Sequence, residues 1–299
     1  MGFNKHNLEL LLSENAYQRL QGKYLSLGKQ TITIGRAECE ELLRKYAVDE
    51  DTIRDLYAGN DLDTTTRHGR GHIYDHQLIE AVTDCQYSCL DVSEYEGADI
   101  IHDMNTPVSG SLVEQYDFIF NGSCLDNVFD PVTFLVNTSK MLKPGGRIIH
   151  NENSGSHPGA YLMLSSEWFF SYYSINNFTD CKVYALHANQ PGKDRFTYGG
   201  DLFQWKPFYT PSANYSHSKA FESIKGMLHS IVIAEKGIDS TANIYPIQSQ
   251  YLDQNCVDWR FKYNEYLKSM RPLVDLAYKK VGVCTPYLND HYIYLGSYK

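Results

Sequence analysis

Asp91, Asp103 and Asn121 each stand at or just past the end of a short apolar run, in YSCLDV, GADIIH and YDFIF. Runs of this length and make-up read as strands. In a parallel sheet the three ends share one edge, and open α/β sheets bind ligands at the carboxyl ends of their strands. A carboxylate past the second strand accepts both hydroxyls of a ribose. One past the third accepts an exocyclic amine of a purine. Gly28 closes an earlier run, YLSLG, and lets a ligand approach the backbone. Taken singly, each Asp reads as a turn or cap residue, which Asp favours anyway. The set at successive strand ends is what points to a small-molecule site.

The elements that must position these residues follow from the pattern. Tyr116 to His150 reads as strand, helix and strand, a parallel βαβ unit. Pro131 opens the helix, where its missing N–H costs little. Val132, Leu135, Val136 and Leu142 form its apolar face, and Lys143-Pro144-Gly145-Gly146 stops it. Upstream, the pattern predicts a helix over 7–22, a strand over 23–28, and helices over 37–46, 51–57 and 75–82. Strands follow over 87–92 and 97–102. The polar, glycine-rich stretch 61–71 is a surface loop, and His68 and His72 flank it as a candidate lid. Downstream, the pattern predicts a strand over 147–150, a helix over 166–176 and a strand over 182–187. A loop-like stretch spans 190–215, with helices over about 218–235 and 257–280. The fold class is therefore α/β, a doubly wound, mostly parallel sheet. Residues 1–189 form the core, with an insertion at about 35–74. Residues 190–299 form an accessory, largely helical lobe, a candidate for acceptor binding.

Composition narrows the function. The 299 residues carry a net charge of −9 and no basic run, which disfavours nucleic acid. The seven cysteines include no CxxC pair, so neither zinc site nor disulfide framework is expected, and reduced thiols fit a cytosol. No metal is expected elsewhere, because no His, Asp or Glu spacing is diagnostic. No signal-peptide or membrane-spanning run is present. The expectation is a cytoplasmic protein with a small-molecule partner.

The stretches LDVSEYEGADIIHDMN, YDFIFNGSCLDNVF and MLKPGGRIIH resemble class I S-adenosylmethionine-dependent methyltransferases over residues 20–185. The nearer likeness is to a bacterial subgroup associated with glycan and capsule genes. The resemblance implies a Rossmann-like sheet of class I methyltransferase type and S-adenosylmethionine as cofactor. It implies cofactor contacts at Gly28, Gln30, Asp91, Asp103, Met104, Asn121 and Gly122, with Ser123 a further neighbour of the transfer site. Two departures stand out. The family's D/E-x-G-x-G after the first strand is here Leu25-Ser26-Leu27-Gly28-Lys29-Gln30, with one glycine and no acid. Its frequent Glu-His after the fourth strand is Asp126-Asn127.

Methyl transfer is an in-line displacement in which alignment supplies most of the rate. A hydroxyl acceptor also benefits from a base titrating near neutrality, which favours histidine. His157, in the Gly/Ser loop 151–159, is the first candidate and His150 the second. Asp126 or Glu152 serves as base or binds a sugar hydroxyl. The bland reading of His157 is a surface histidine, and that of Cys124, beside the site, a structural thiol. Trp168, Phe169, Phe170, Tyr172, Tyr173, Trp205, Phe208 and Tyr209 are stacking faces or core. The expected activity is methyl transfer to an oxygen, less often a nitrogen, of a small polar acceptor such as a sugar or sugar nucleotide. The alternative is a non-catalytic binding or scaffold protein of the same fold. A dinucleotide oxidoreductase is disfavoured, because no GxGxxG follows a strand.

Overall fold

The computed structural model describes residues 2–58, 62–63, 72–155, 159–191, 198–205, 227–247 and 292–298. Eleven strands and six α-helices are built from them in the order α1 (Lys5–Tyr17), β1 (Gln21–Leu27), α2 (Arg36–Lys45), α3 (Glu50–Leu56), β2 (Leu62–Asp63), β3 (His72–Ile73), α4 (Asp75–Val82), β4 (Asp84–Asp91), β5 (Ile100–Ile101), β6 (Tyr116–Gly122), α5 (Pro131–Met141), β7 (Leu142–Asn153), α6 (Ser166–Ile175), β8 (Asp180–Pro191), β9 (Tyr198–Trp205), β10 (Met227–Glu235) and β11 (Tyr292–Tyr298). Nine strands form one sheet in the order β5-β4-β1-β6-β7-β10-β8-β9-β11. From β5 to β7 all pairings are parallel. From β7 to β11 all are antiparallel, so β10 and β9 run against the rest. The chain steps outward from β1 to β4 and β5, then returns to the other side of β1 for β6 and β7. That reversal beside β1 makes the sheet doubly wound, Rossmann-like and mostly parallel, the class I methyltransferase type expected.

Both faces of this sheet are buried, so its strands carry apolar side chains at successive positions rather than alternate ones. Tyr24, Phe118, Phe120, Ile149, Ile231 and Ile233 pack with α1, α2, α3 and α4. Their neighbours Leu25, Ile119, Ile148, Val232 and Ala234 face the other way, into a second core with α5 and α6. Side-chain caps start four of the helices, Ser165 accepting the Trp168 N–H at the start of α6. Asn4, Asp49 and Asp130 accept the free N–H groups that open α1, α3 and α5. Pro131 occupies the first position of α5. Among the described residues no helix is long and apolar enough to cross a membrane.

Several expectations are corrected. Residues 227–235 are a strand, not the end of a helix: β10 lies between β7 and β8 with both faces covered. Residues 198–205, expected as loop, form β9, and β8 extends to Pro191. The sheet therefore does not stop at residue 189. In the described part of 190–299 the segments are strands rather than helices. The expected helix over 257–280 and residues 218–226 lie outside the described residues. Helix α1 ends at Tyr17 instead of continuing to 22, because Gln21 already pairs with Asp84 in β1. It is not one-sided either: every residue from His6 to Glu14 is buried. Strand β5 shrinks to Ile100–Ile101.

Candidate functional site

The carboxyl ends of β1, β4, β5 and β6 open onto a cleft of about 450 Å³. Its walls are Leu27–Gln30, Leu90–Val92, His102–Asn105, Gly122–Cys124 and Asn127–Val128. The cleft thus sits at the point where the chain direction reverses beside β1, as the topology requires.

The first wall is the turn after β1. Gly28 takes a φ of +73°, a left-handed conformation that glycine adopts without strain. The turn is held from three sides. Ser26 Oγ donates to the Gly28 carbonyl at 2.7 Å, and Gln30 Nε2 donates to the same oxygen at 3.1 Å. Asp75, the first residue of α4, accepts the Gln30 backbone N–H at 2.8 Å and the Tyr87 hydroxyl at 2.7 Å. Burial pushes the Asp75 carboxyl up, against these donors. Asp75 therefore supports the turn with a carboxylate that the residues after β1 lack. The Gln30 side chain then lies under Gly122. A Cβ on Gly122 would stand 2.3 Å from Gln30 Oε1, so β6 must end in glycine for the two walls to meet. Gln30 is 4% exposed, and among the described residues its Oε1 has no hydrogen-bond donor.

The second wall carries charge. Asp91 ends β4 and holds the Ser93 N–H loosely at 3.3 Å. Asp103, past β5, accepts the backbone and side-chain N–H groups of Asn105 at 2.9 and 2.8 Å, and these bonds hold its carboxyl below the usual range. Asn105 in turn accepts from Phe129 and Asp130, both at 3.0 Å. This ties the residues after β5 to the start of α5. Met104 is 4% exposed and supplies the apolar floor.

The third wall is Gly122–Cys124, over a buried polar layer. Asn121 is 0% exposed and does not reach the cleft. Its Nδ2 donates to His150 Nδ1 at 2.8 Å and to Glu152 Oε1 at 2.5 Å. Since Nδ1 accepts, the His150 proton is on Nε2 and is donated to Tyr173 Oη at 2.6 Å. Burial lowers the His150 pKa to about 3. Burial pushes the Glu152 carboxyl well up, helped by the Asp126 carboxylate. Burial likewise raises the Cys124 thiol, so it is no nucleophile at neutral pH.

Gly28, Gln30, Asp91, Asp103, Met104 and Gly122 thus lie together on one cleft. Three expected site residues are corrected. Asn121 is a support behind the wall rather than a cofactor contact. His150 is enclosed with both ring nitrogens engaged, so it is not a base for the cleft. Asp126 is also 0% exposed and reaches the cleft only through its neighbours on the wall, Ser123, whose hydroxyl donates to it at 2.5 Å, and Asn127, whose Nδ2 donates to it at 2.7 Å. His157 lies outside the described residues. Of the candidate stacking rings, Phe169, Phe170, Tyr172 and Tyr173 are core, whereas Phe208 and Tyr209 lie outside the described residues. Asp75 and Asn105 were missed as site supports, because an acid opening a helix and an Asn in a turn are ordinary there. Among the described residues no group of His, Cys, Asp and Glu side chains could hold a metal.

No protein-family model matches this sequence, and no curated protein matches it. Solved structures with a similar fold include the CMeT domain of the citrinin polyketide synthase, at 12% identity and a TM-score of 0.37 over 78% of this chain and 52% of that one. This chain thus spans about half of that protein's length. The [4+2]-cyclase SpnF is similar at 12% identity and a TM-score of 0.37, over 77% of this chain and 80% of that one. A SAM-dependent methyltransferase from Archaeoglobus fulgidus is similar at 13% identity and a TM-score of 0.37, over 76% of this chain and 94% of that one. Likeness at this level decides neither the family nor the reaction. The cleft has to carry the functional reading.

Proposed function

We propose that the cleft binds S-adenosylmethionine and that the chain transfers a methyl group to an oxygen, less often a nitrogen, of a small polar acceptor. The carrying observation is Gln30 Oε1, a buried acceptor without a donor among the described residues, on a cleft whose opposite wall presents Asp91 and Asp103. An unmet buried acceptor costs about 1–3 kcal/mol, which a ligand donor would recover. The α-ammonium of the cofactor's methionine part is such a donor. Asp91 suits the ribose hydroxyls, and Asp103 with Met104 suits an adenine amine and ring. Acidic groups on the rim also favour a sulfonium cation.

When bound, S-adenosylmethionine supplies a methyl group on sulfur that an acceptor displaces in line. The chain's own part is alignment: the Gly28 turn admits the ligand to the backbone, and the buried layer under Gly122–Cys124 fixes the third wall. His157 stays the proposed general base. A sugar or sugar nucleotide stays the proposed acceptor class. The exposed rings of Phe129 and Tyr161, edge to face at 6.3 Å, support it by offering a stacking surface beside Asn127–Val128.

Calorimetry with S-adenosylhomocysteine tests the cofactor. Binding is expected, and its absence at millimolar ligand would sink the reading. Asp91→Ala should weaken that binding about ten- to a hundredfold, the worth of hydrogen bonds to a charged group, with an unchanged circular dichroism spectrum. Equal affinity would mean the ribose is held elsewhere. A non-catalytic scaffold is the second reading, favoured by the enclosure of His150 and Asp126. It predicts cofactor binding without methyl transfer to any acceptor in a sugar-nucleotide panel.

A further inference from the structure

Ser123 is the first residue past β6 and lines the cleft. Its φ is +67°, a region that non-glycine residues seldom enter and that often marks a functional constraint. The hydrogen bonds around it leave its hydroxyl little choice. Ser123 Oγ donates to Asp126 Oδ2 at 2.5 Å. Asn153 Nδ2 donates to Ser123 Oγ at 3.3 Å and also to Asp126 Oδ2. Asn127 Nδ2 donates to Asp126 Oδ1 at 2.7 Å and to the Ser123 carbonyl at 2.8 Å. Asp126 and Asn153 are buried, at 0% and 2% exposure.

A hydroxyl owns one proton and two lone pairs. Here the proton goes to the carboxylate and one lone pair to Asn153. The remaining lone pair is the only hydrogen-bonding capacity left for the cleft. We propose that Ser123 Oγ is a ligand acceptor that holds an N–H or O–H donor at the reacting end of the cleft. Asp126 is its positioning residue, because it keeps the Ser123 proton turned inward. The acceptor substrate this selects is a hydroxyl compound or a neutral primary or secondary amine, which keeps a lone pair for the methyl while its O–H or N–H donates to Ser123. A nucleophile that carries no proton, such as a thioether, gains nothing there.

The placement deepens the cofactor reading and rests on it. Along the sheet edge the order is Asp103 past β5, Asp91 on β4, Gly28 past β1 and Ser123 past β6. A ligand with its purine and ribose at the first two positions puts its sulfur beyond Gly28, with Ser123 next in line.

Sinefungin tests this without knowledge of the acceptor, since it carries a primary amine where the transferred methyl would be. Its affinity is compared with that of S-adenosylhomocysteine, which has no group there. The wild type should prefer sinefungin by about tenfold or more, as for a charged hydrogen bond. Ser123→Gly should erase the preference while keeping the affinity for S-adenosylhomocysteine within about twofold, because glycine takes the positive φ without strain. Asp126→Asn should reduce the preference too, by freeing the hydroxyl to turn its proton outward. Equal binding of the two ligands by wild type, or a preference that survives Ser123→Gly, overturns the proposal alone. Failure of both ligands to bind overturns the cofactor reading and this proposal with it.

Discussion

His150 shows what burial does to a single side chain. It is held neutral by its surroundings, with a pKa lowered to about 3, while in the unfolded chain it titrates near the ordinary histidine value. Below that ordinary value the unfolded state binds a proton that the native state refuses, so acidification favours unfolding. The stabilisation is present above about pH 6.5 and is lost progressively as the pH falls towards 3, at up to about 1.4 kcal/mol per pH unit. His150→Gln lacks this term. The cost of the substitution, measured by urea unfolding at pH 7, 5.5 and 4.5, should therefore shrink steadily. A cost that is independent of pH would mean that the ring takes up its proton in the fold as readily as in the unfolded chain. The candidate residues were only partly legible in the sequence, for a physical reason. A polar residue that closes an apolar run leaves a local mark, and Gly28, Asp91, Asp103 and Gly122 were found by it. Enclosure leaves none. The partners that take His150 out of play are Asn121 and Tyr173, 29 and 23 residues away.

At the scale of elements, the turn after β1 and the end of β6 act as one unit through Gln30 and Gly122. Gly122→Ala would place a methyl 2.3 Å from Gln30 Oε1 and 2.9 Å from the Phe120 ring. Gln30 must then leave its place, and the turn loses its bond from Nε2 to Gly28. S-adenosylhomocysteine affinity should fall at least about tenfold, one hydrogen bond to a charged group being worth that much. Retention of wild-type affinity would show that Gln30 is not a ligand contact. Asp75 closes the same unit from 45 residues downstream, which no pattern local to β1 could reveal. The βαβ unit from β6 to β7 was legible because its strands, proline and glycines are contiguous signals. Strand β10 was misread as helix because, with both faces buried, MLHSIVIAE lacks the alternation that marks a half-exposed strand, and a continuous apolar run fits either element. Its β-branched Ile231, Val232 and Ile233 were the cue for a strand.

Across the whole molecule, a buried ionic chain ties the first helix to the sheet. Glu14 of α1 meets Arg147 of β7 at 2.8 Å and Lys182 of β8 at 2.9 Å, and Lys182 meets Asp180 at 2.8 Å; all four side chains are 3% exposed or less. Arg147 also donates to the Glu14 and Gln18 carbonyls at 2.8 and 2.6 Å. Glu14→Gln would leave two buried cations without their shared partner. Breaking such a group costs about 3–5 kcal/mol, which thermal unfolding at neutral pH should register as a large fall in Tm. A change under about 1 kcal/mol would mean that water compensates the cations.

The central position of β10 also has a consequence in time. Strands β7 and β8 are made well before it, yet β8 joins the parallel half of the sheet only through β10. At about 5–20 residues per second, roughly 4–15 s separate the end of β7 from the start of β10 during synthesis. For that interval the nascent chain exposes an unpaired apolar edge, an invitation to mispairing with other chains. Chaperone demand should therefore peak just before residues 227–235 leave the ribosome.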